Sequence, residues 1–196
     1  GMECHPCRTW SMRVTPPFLD AWPEVDVEVR TGFRFDGIAA LANHEIDLLV
    51  TPDPVARPGL IFRPVFDYNL VLVVAEGHAL SGRDHVDPSD LGGETLFALP
   101  VILERLDVYT RFLIPAAVRP RAHRTVETTD LMLRLIAARR GVAVLPDWLV
   151  ADEGAGLPLE TLRLGPDGLA KSLHLGLRRG EETIDYIADF IRLAAM

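Results

Sequence analysis

Apolar and polar positions divide the chain into two similar series. "VDVEVRT" (25–31) alternates apolar and charged residues, which predicts a strand with one wet face at a sheet edge. "DGIAALANHE" follows, with Asp36 placed as a cap and Ile38, Leu41 and Ala42 at helical spacing. "IDLLVT" (46–51) is the short unbroken apolar run of a buried parallel strand. Past the Pro- and Gly-rich "PDPVARPG" comes the longest β signal, "LIFRPVFDYNLVLVVAEG" (60–77), interrupted at Pro64 and near Asp67.

The second series opens with "DPSDL" (87–91), a short helix with Asp87 as cap and Pro88 at its first position. "TLFALP" (95–100) predicts a strand, "RLDVYTRFLIPAAV" (105–118) a helix stopped around Pro115, and "HRTVET" (123–128) another strand. In "TTDLMLRLIAARRG", Leu131, Leu135 and Ile136 form an apolar stripe, Thr128 or Thr129 caps the start and Gly141 ends the helix. "VAVLP" (142–146) is again a short buried strand. Strands alternating with helices imply parallel sheets with right-handed crossovers, here as two α/β lobes of Rossmann type.

The tail links the lobes. "KSLHLGLRRG" (171–180) predicts a strand, and "EETIDYIADFIRLAAM" (181–196) a helix with Ile184, Ile187, Ala188 and Ile191 on one face. Pairing residues 171–179 with 69–77 carries that helix back to the first lobe, so two strands cross between lobes. The expected boundaries are 1–76 plus 178–196 for lobe I and 77–177 for lobe II. Such folds take ligands at the carboxyl ends of parallel strands, which places the expected site in the cleft between lobes.

Charge narrows the classes. The 196 residues carry a formal net charge of −8, whereas a nucleic-acid binder needs clustered Lys and Arg to neutralise phosphates. Only short pairs such as Arg139-Arg140 and Arg178-Arg179 occur, so this chain by itself is not expected to hold DNA. No apolar run approaches the ~20 residues of a membrane span, and no leader precedes the first strand, so a cytoplasmic protein is expected. Gly1-Met2 reads as a cloning remnant or an internal restart.

"ECHPC" (3–7) poses the main chemical question. Two cysteines are too few for a disulfide framework, and free thiols suit a reducing cytoplasm. A redox dithiol would need strands and helices arranged around the motif, and almost no chain precedes it. A structural zinc needs four ligands; Cys4, His5 and Cys7 have no second pair downstream, and His44, His78, His85, His123 and His174 are scattered singly. No metal and no cofactor is expected, and "ECHPC" reads as a loop.

Five segments in order, "FLDAWPEVDVEVRTG", "LANHEIDLLVTPDP", "GLIFRPVFDYNLVLVVAEGHAL", "DLGGETLFALP" and "IAARRGVAVLPDWLV", resemble the effector-binding domain of LysR-type transcriptional regulators along essentially the whole chain. "ECHPC", "FDY" and "LPVILERLDVYTRFLIPAAVRP" resemble the methionine-biosynthesis regulators of that family, whose effector is homocysteine. The resemblance implies a periplasmic-binding-protein-like fold, no catalytic activity, a homodimer or higher homo-oligomer, and a small-molecule effector such as a homocysteine-like amino acid. DNA would be bound only through an N-terminal helix-turn-helix that is absent from this chain, which is therefore expected to be part of a longer regulator. Edge strand 25–31 and the first helix are the expected dimer contacts. Two departures stand out. Family members begin with a strand directly ahead of Glu3, of which Gly1 and Met2 remain. Pro16-Pro17 fall where the family has a helix, at a cost of roughly 3 kcal/mol unless the helix starts late or kinks.

On this resemblance the loop at "ECHPC" leads into a helix beginning near Thr9, whose N-terminal N–H groups favour an anion. His5, Cys7 and Thr9 then face the cleft from lobe I, with Gly32 and Phe33 after the second strand and Thr51 and Pro52 after the third; Cys4 is expected to be buried. Lobe II contributes Pro100 and Val101, then Thr128, Thr129 and Asp130 at a helix start, and Pro146. Blander roles stand beside these: helix caps for Thr128 to Asp130, a strand end for Thr51, core for Phe33 and a solvated face for Arg105. A free-standing solute-binding protein of the same fold and a thiol-redox enzyme using Cys4 and Cys7 are the alternative functions.

Overall fold

The structure, a computed structural model, describes residues 1–4, 6–31 and 36–195. His5, Gly32 and Phe33, three of the expected effector contacts, lie outside the described residues. The chain forms two compact units, Gly1–Asp67 with Lys171–Met196, and Tyr68–Ala170.

In the first unit, helices α1 (Cys7–Ala21) and α2 (Gly37–Ala42) precede the short strand β1 (Leu49–Thr51) and the long strand β2 (Leu60–Ala75). The tail returns as β8 (Leu169–Arg178) and α5 (Asp185–Ala194). β8 lies between β1 and β2 and runs antiparallel to β1, with Leu49 opposite Gly176 and Thr51 opposite His174. On the other side of β1, residues 1–3 form a parallel ladder. The Gly1 amine donates to Leu48 O at 2.6 Å, Val50 N to Gly1 O at 2.8 Å and Glu3 N to Val50 O at 3.1 Å.

That ladder corrects one expectation. Residues 25–31 do not form a strand; Met2 N of this ladder donates to Arg30 O at 2.9 Å. A strand exists only where a neighbour offers a run of rungs, and alternation along the chain does not supply one.

Helix α1 begins at Cys7, two residues before the expected start, and runs through both Pro16 and Pro17. Pro16 and Pro17 have no N–H to offer the carbonyls four residues earlier, those of Met12 and Arg13, and both of these residues are exposed. The opposite face buries Cys7, Trp10, Val14 and Phe18. The Phe18 ring meets Phe190 of α5 edge-on at 5.1 Å, and Trp22 Nε1 donates to Asp189 at 3.1 Å. This packing outweighs the poor local propensity.

The crossing points lie at Asp67/Tyr68 and Ala170/Lys171, inside β2 and β8, rather than at 76/77 and 177/178. The expected pairing of 171–179 with 69–77 is also displaced. Arg179 N donates to Gly59 O at 2.8 Å and the Ser172 hydroxyl to Asp67, so β8 runs along the first half of β2. The second half is already paired on both edges, Leu70–Val73 with β6 (Val142–Pro146) and Val71–Ala75 with β7 (Leu159–Leu164).

In the second unit, β4 (Thr95–Ala98) is the middle of a parallel trio with β5 (Ala122–Thr125) and β6. The two-residue β3 (His85–Val86) pairs with β7. Asp87 caps a 3-10 helix over Pro88–Gly93, as its sequence implied. The 105–118 segment is instead a 3-10 turn, Leu103–Arg105, and a π-helix, Val108–Leu113, with Tyr109 Oη 2.7 Å from His123 Nδ1. Helix α3 (Thr129–Ala137) buries Met132, Leu133 and Ile136, whereas Leu131 of the expected stripe is 49% exposed. Those three pack with Phe97, Val73, Leu145 and Leu149 in the unit's core, Leu149 coming from α4 (Asp147–Glu153). The left-handed residue after α3 is Arg139, at φ 57°, rather than Gly141. Gly141 is needed for space: a Cβ there would sit 2.5 Å from the Thr95 carbonyl oxygen.

Candidate functional site

The parallel trio of the second unit gathers its expected contacts at one edge. Pro100 and Val101 follow the carboxyl end of β4, Thr128 to Asp130 follow β5, and Pro146 ends β6. Parallel strands end on the same side, so the spacing of these residues along the chain translates into proximity. Val126 N donating to Ala98 O at 2.9 Å holds two of the strand ends together. Thr129 Oγ1 donates to Glu153. Asp130 is held below the usual carboxylate range by hydrogen bonds from the Thr128 hydroxyl and the Leu131 N–H. These groups already have partners at the helix start, where Thr128 occupies the N-cap position without a side-chain cap bond, and Thr128 and Asp130 are exposed. Pro146 is buried, and Pro100 and Val101 are half-buried.

The first unit has a corresponding edge, at the carboxyl ends of Gly1–Glu3 and β1. Thr51 is fully buried, and its hydroxyl donates to Glu3 Oε2 at 2.8 Å while accepting from Asp53 N at 3.1 Å. Glu3 Oε1 accepts from Gly37 N at 3.1 Å. Asp53 in turn pairs with Lys171 Nζ at 2.8 Å. One polar chain therefore joins the loop after residue 3, the start of α2, the loop after β1 and the start of β8. Thr51 belongs to this chain as an enclosed pin, while Pro52 and Thr9 are half-buried at its margin. Glu3, Asp53 and Lys171 were not singled out from the sequence. The available signals were slight: Asp53 stands next to Thr51-Pro52, and Lys171 is the only lysine among 196 residues.

Cys4 and Cys7 are joined by a disulfide with Cα atoms 5.3 Å apart, which corrects the expectation of free thiols. Their exposures are also reversed. Cys7 is fully buried as the first residue on the inner face of α1, and Cys4 is half-buried. Among the described residues no group of three or more His, Cys, Asp or Glu side chains could hold a metal ion, and no helix is long and apolar enough to cross a membrane.

A cavity of about 490 Å³ opens elsewhere in the first unit, and none of the expected effector contacts lines it. Residues 25–30 and 45–48 line it together with Gly1, Trp10, Phe18 and Phe190. Met2 of the parallel ladder lines it as well. Burial lowers the Gly1 amine from its usual 8 to about 6, against the partly offsetting charge of Asp47.

Residues 1–195 match the model of the LysR substrate binding domain. The HTH-type transcriptional regulator MetR of Escherichia coli K12 is 40% identical over 99% of the chain, and that of Haemophilus influenzae 29% identical over 97%. The chain spans 61% of the length of each of these relatives. The regulatory domain of MetR, a LysR family regulator from N. meningitidis, superposes with a TM-score of 0.89 at 31% identity, covering 99% of this chain and 89% of that one. Full-length BenM, at 18% identity and a TM-score of 0.81, shares the fold over 99% of this chain and 64% of its own. The two α/β units, with helices on a mixed sheet, are thus a periplasmic-binding-protein-like fold. The chain belongs to the LysR substrate-binding-domain family.

Proposed function

We propose that this chain is the effector-binding and dimerisation part of a cytoplasmic, non-catalytic regulator of methionine-biosynthesis genes, with homocysteine or a related sulfur amino acid as effector. The observation that carries this is the 40% identity to MetR over 99% of the chain. Two features support it. Among the described residues, Thr51 and Pro52 in the first unit and Pro100, Val101, Thr128 to Asp130 and Pro146 in the second stand at or just past the carboxyl ends of parallel strands, where such sheets receive ligands. The first unit's edge also carries charges of both signs, Glu3, Asp53 and Lys171, which suits a small zwitterion because it has few atoms with which to gain affinity. In this reading the two units are regulatory lobes I and II, DNA is contacted through a separate helix-turn-helix domain, and effector binding shifts a lobe or dimer geometry already accessible to the protein.

A thermal-shift panel of sulfur amino acids tests the effector. A ligand at ~100 times its Kd adds roughly 2.7 kcal/mol to stability by mass action, so homocysteine should raise Tm by several degrees. A shift with an unrelated metabolite and none with sulfur amino acids would keep the family and remove the effector.

A further inference from the structure

We infer that Asp53 and Lys171 together form the part of the effector site that recognises an α-amino acid by both of its charges, the ligand ammonium on Asp53 and its carboxylate on Lys171. The inference rests on the effector-binding reading above and names two residues that it does not include. Lys171 Nζ lies 2.8 Å from Asp53 Oδ1; the lysine side chain is 12% exposed and the aspartate 38%. The aspartate is thus the more accessible partner and the cation the more deeply set. An α-amino acid carries its own opposite charges across a single carbon. Laid head to tail against the pair, it forms an alternating ring of four charges, and each contact is a charge-assisted hydrogen bond.

The surrounding geometry holds the pair ready. Asp53 is fixed through its N–H to Thr51 Oγ1, Thr51 to Glu3, and Glu3 to the start of α2. Lys171 stands three residues from His174, which faces Thr51 across the β1–β8 ladder, so the register of that ladder aims it at the loop after β1. A ligand meets charges that are already ordered and need not pay for ordering them. Lys171 is also the first residue of the first unit after the chain re-enters it, directly past Ala170. The pair selects by charge pattern: an α-hydroxy or α-keto acid offers Lys171 the same carboxylate but gives Asp53 no cation.

The test is titration calorimetry on the full chain with L-homocysteine, L-methionine and the α-hydroxy analogue of methionine. For wild type, both amino acids should bind at least tenfold more tightly than the hydroxy acid. Asp53→Asn should abolish that preference, and Lys171→Gln should weaken all three ligands at least tenfold. The single lysine permits a readout that needs no variant. After reductive ¹³C-methylation the Lys171 dimethylamino resonance, separate from that of the Gly1 amine, should shift on adding L-methionine. Amino-acid binding by wild type that leaves this resonance unmoved and is unchanged in both folded variants overturns the dyad alone. Absence of any α-amino-acid binding by wild type overturns the dyad and the effector reading together.

Discussion

Single residues with polar or charged groups set much of the local order in the first unit. Arg178 is the clearest case. Its guanidinium is 11% exposed and donates to the carbonyls of Leu41 and Ile46 at 2.8 and 2.6 Å, to Asp47 at 2.9 Å and to Glu181 at 2.7 Å. The planar fork thus ties the end of α2 and the loop after it to β8, a geometry that lysine could not reproduce. The Gly1 amine works in the opposite sense. Its burial holds it at about 6 against the usual 8. Below 6 both folded and unfolded chains carry the proton, and above 8 neither does. Between those values the unfolded chain binds a proton that the folded chain has released, so stability rises with pH across this window by roughly 2 kcal/mol. Urea denaturation at pH 6 and pH 8 should show the rise, and acetylating the amine should remove it. A flat profile for the free amine would mean that the terminus leaves its slot.

At the scale of elements, α1 holds two residues that a helix interior disfavours. Pro16 and Pro17 remain because Trp10, Val14 and Phe18 are buried on the other face. Replacing Pro16 by Ala restores an N–H for the Met12 carbonyl. The gain, set against the greater freedom of the unfolded chain, should raise stability by roughly 2 kcal/mol. A higher urea midpoint at unchanged m is the expected result; a lower one would show that the proline pair fits a bend the helix needs. The 25–31 segment makes the complementary point. Its alternation is that of a strand, yet a strand forms only against a neighbour's rungs, and alternation supplies none.

For the whole molecule, the question of self-association turns on apolar side chains exposed on the first unit. Met12 is 67% exposed, Val29 49% and Leu19 40%. They lie on α1 and in the 25–31 segment, the surfaces expected for self-association. Sedimentation velocity at micromolar concentration should return a dimer for the wild type and a monomer for Met12→Glu combined with Val29→Glu. A wild-type monomer at every concentration removes this surface from consideration. The chain passes twice between its two units, and at both passages the first unit has polar groups beside the boundary, Asp67 bonded to Ser172 and Asp53 to Lys171.

What the sequence by itself determined were those features that depend on near neighbours in the chain. Apolar runs marked β1, β4 and β6, the Asp87 cap marked its 3-10 helix, and five ordered segments pointed to the family that the whole chain matches. Features that depend on distant groups were decided by the tertiary structure. The register of β8 followed from which edges of β2 were already taken, and the stripe of α3 shifted by one residue because the core selects the face that packs on Phe97. The Glu3–Thr51–Asp53–Lys171 chain was invisible for the same reason. Its members are up to 168 positions apart (3 to 171) and no period relates them, so only the fold brings their charges within hydrogen-bonding distance.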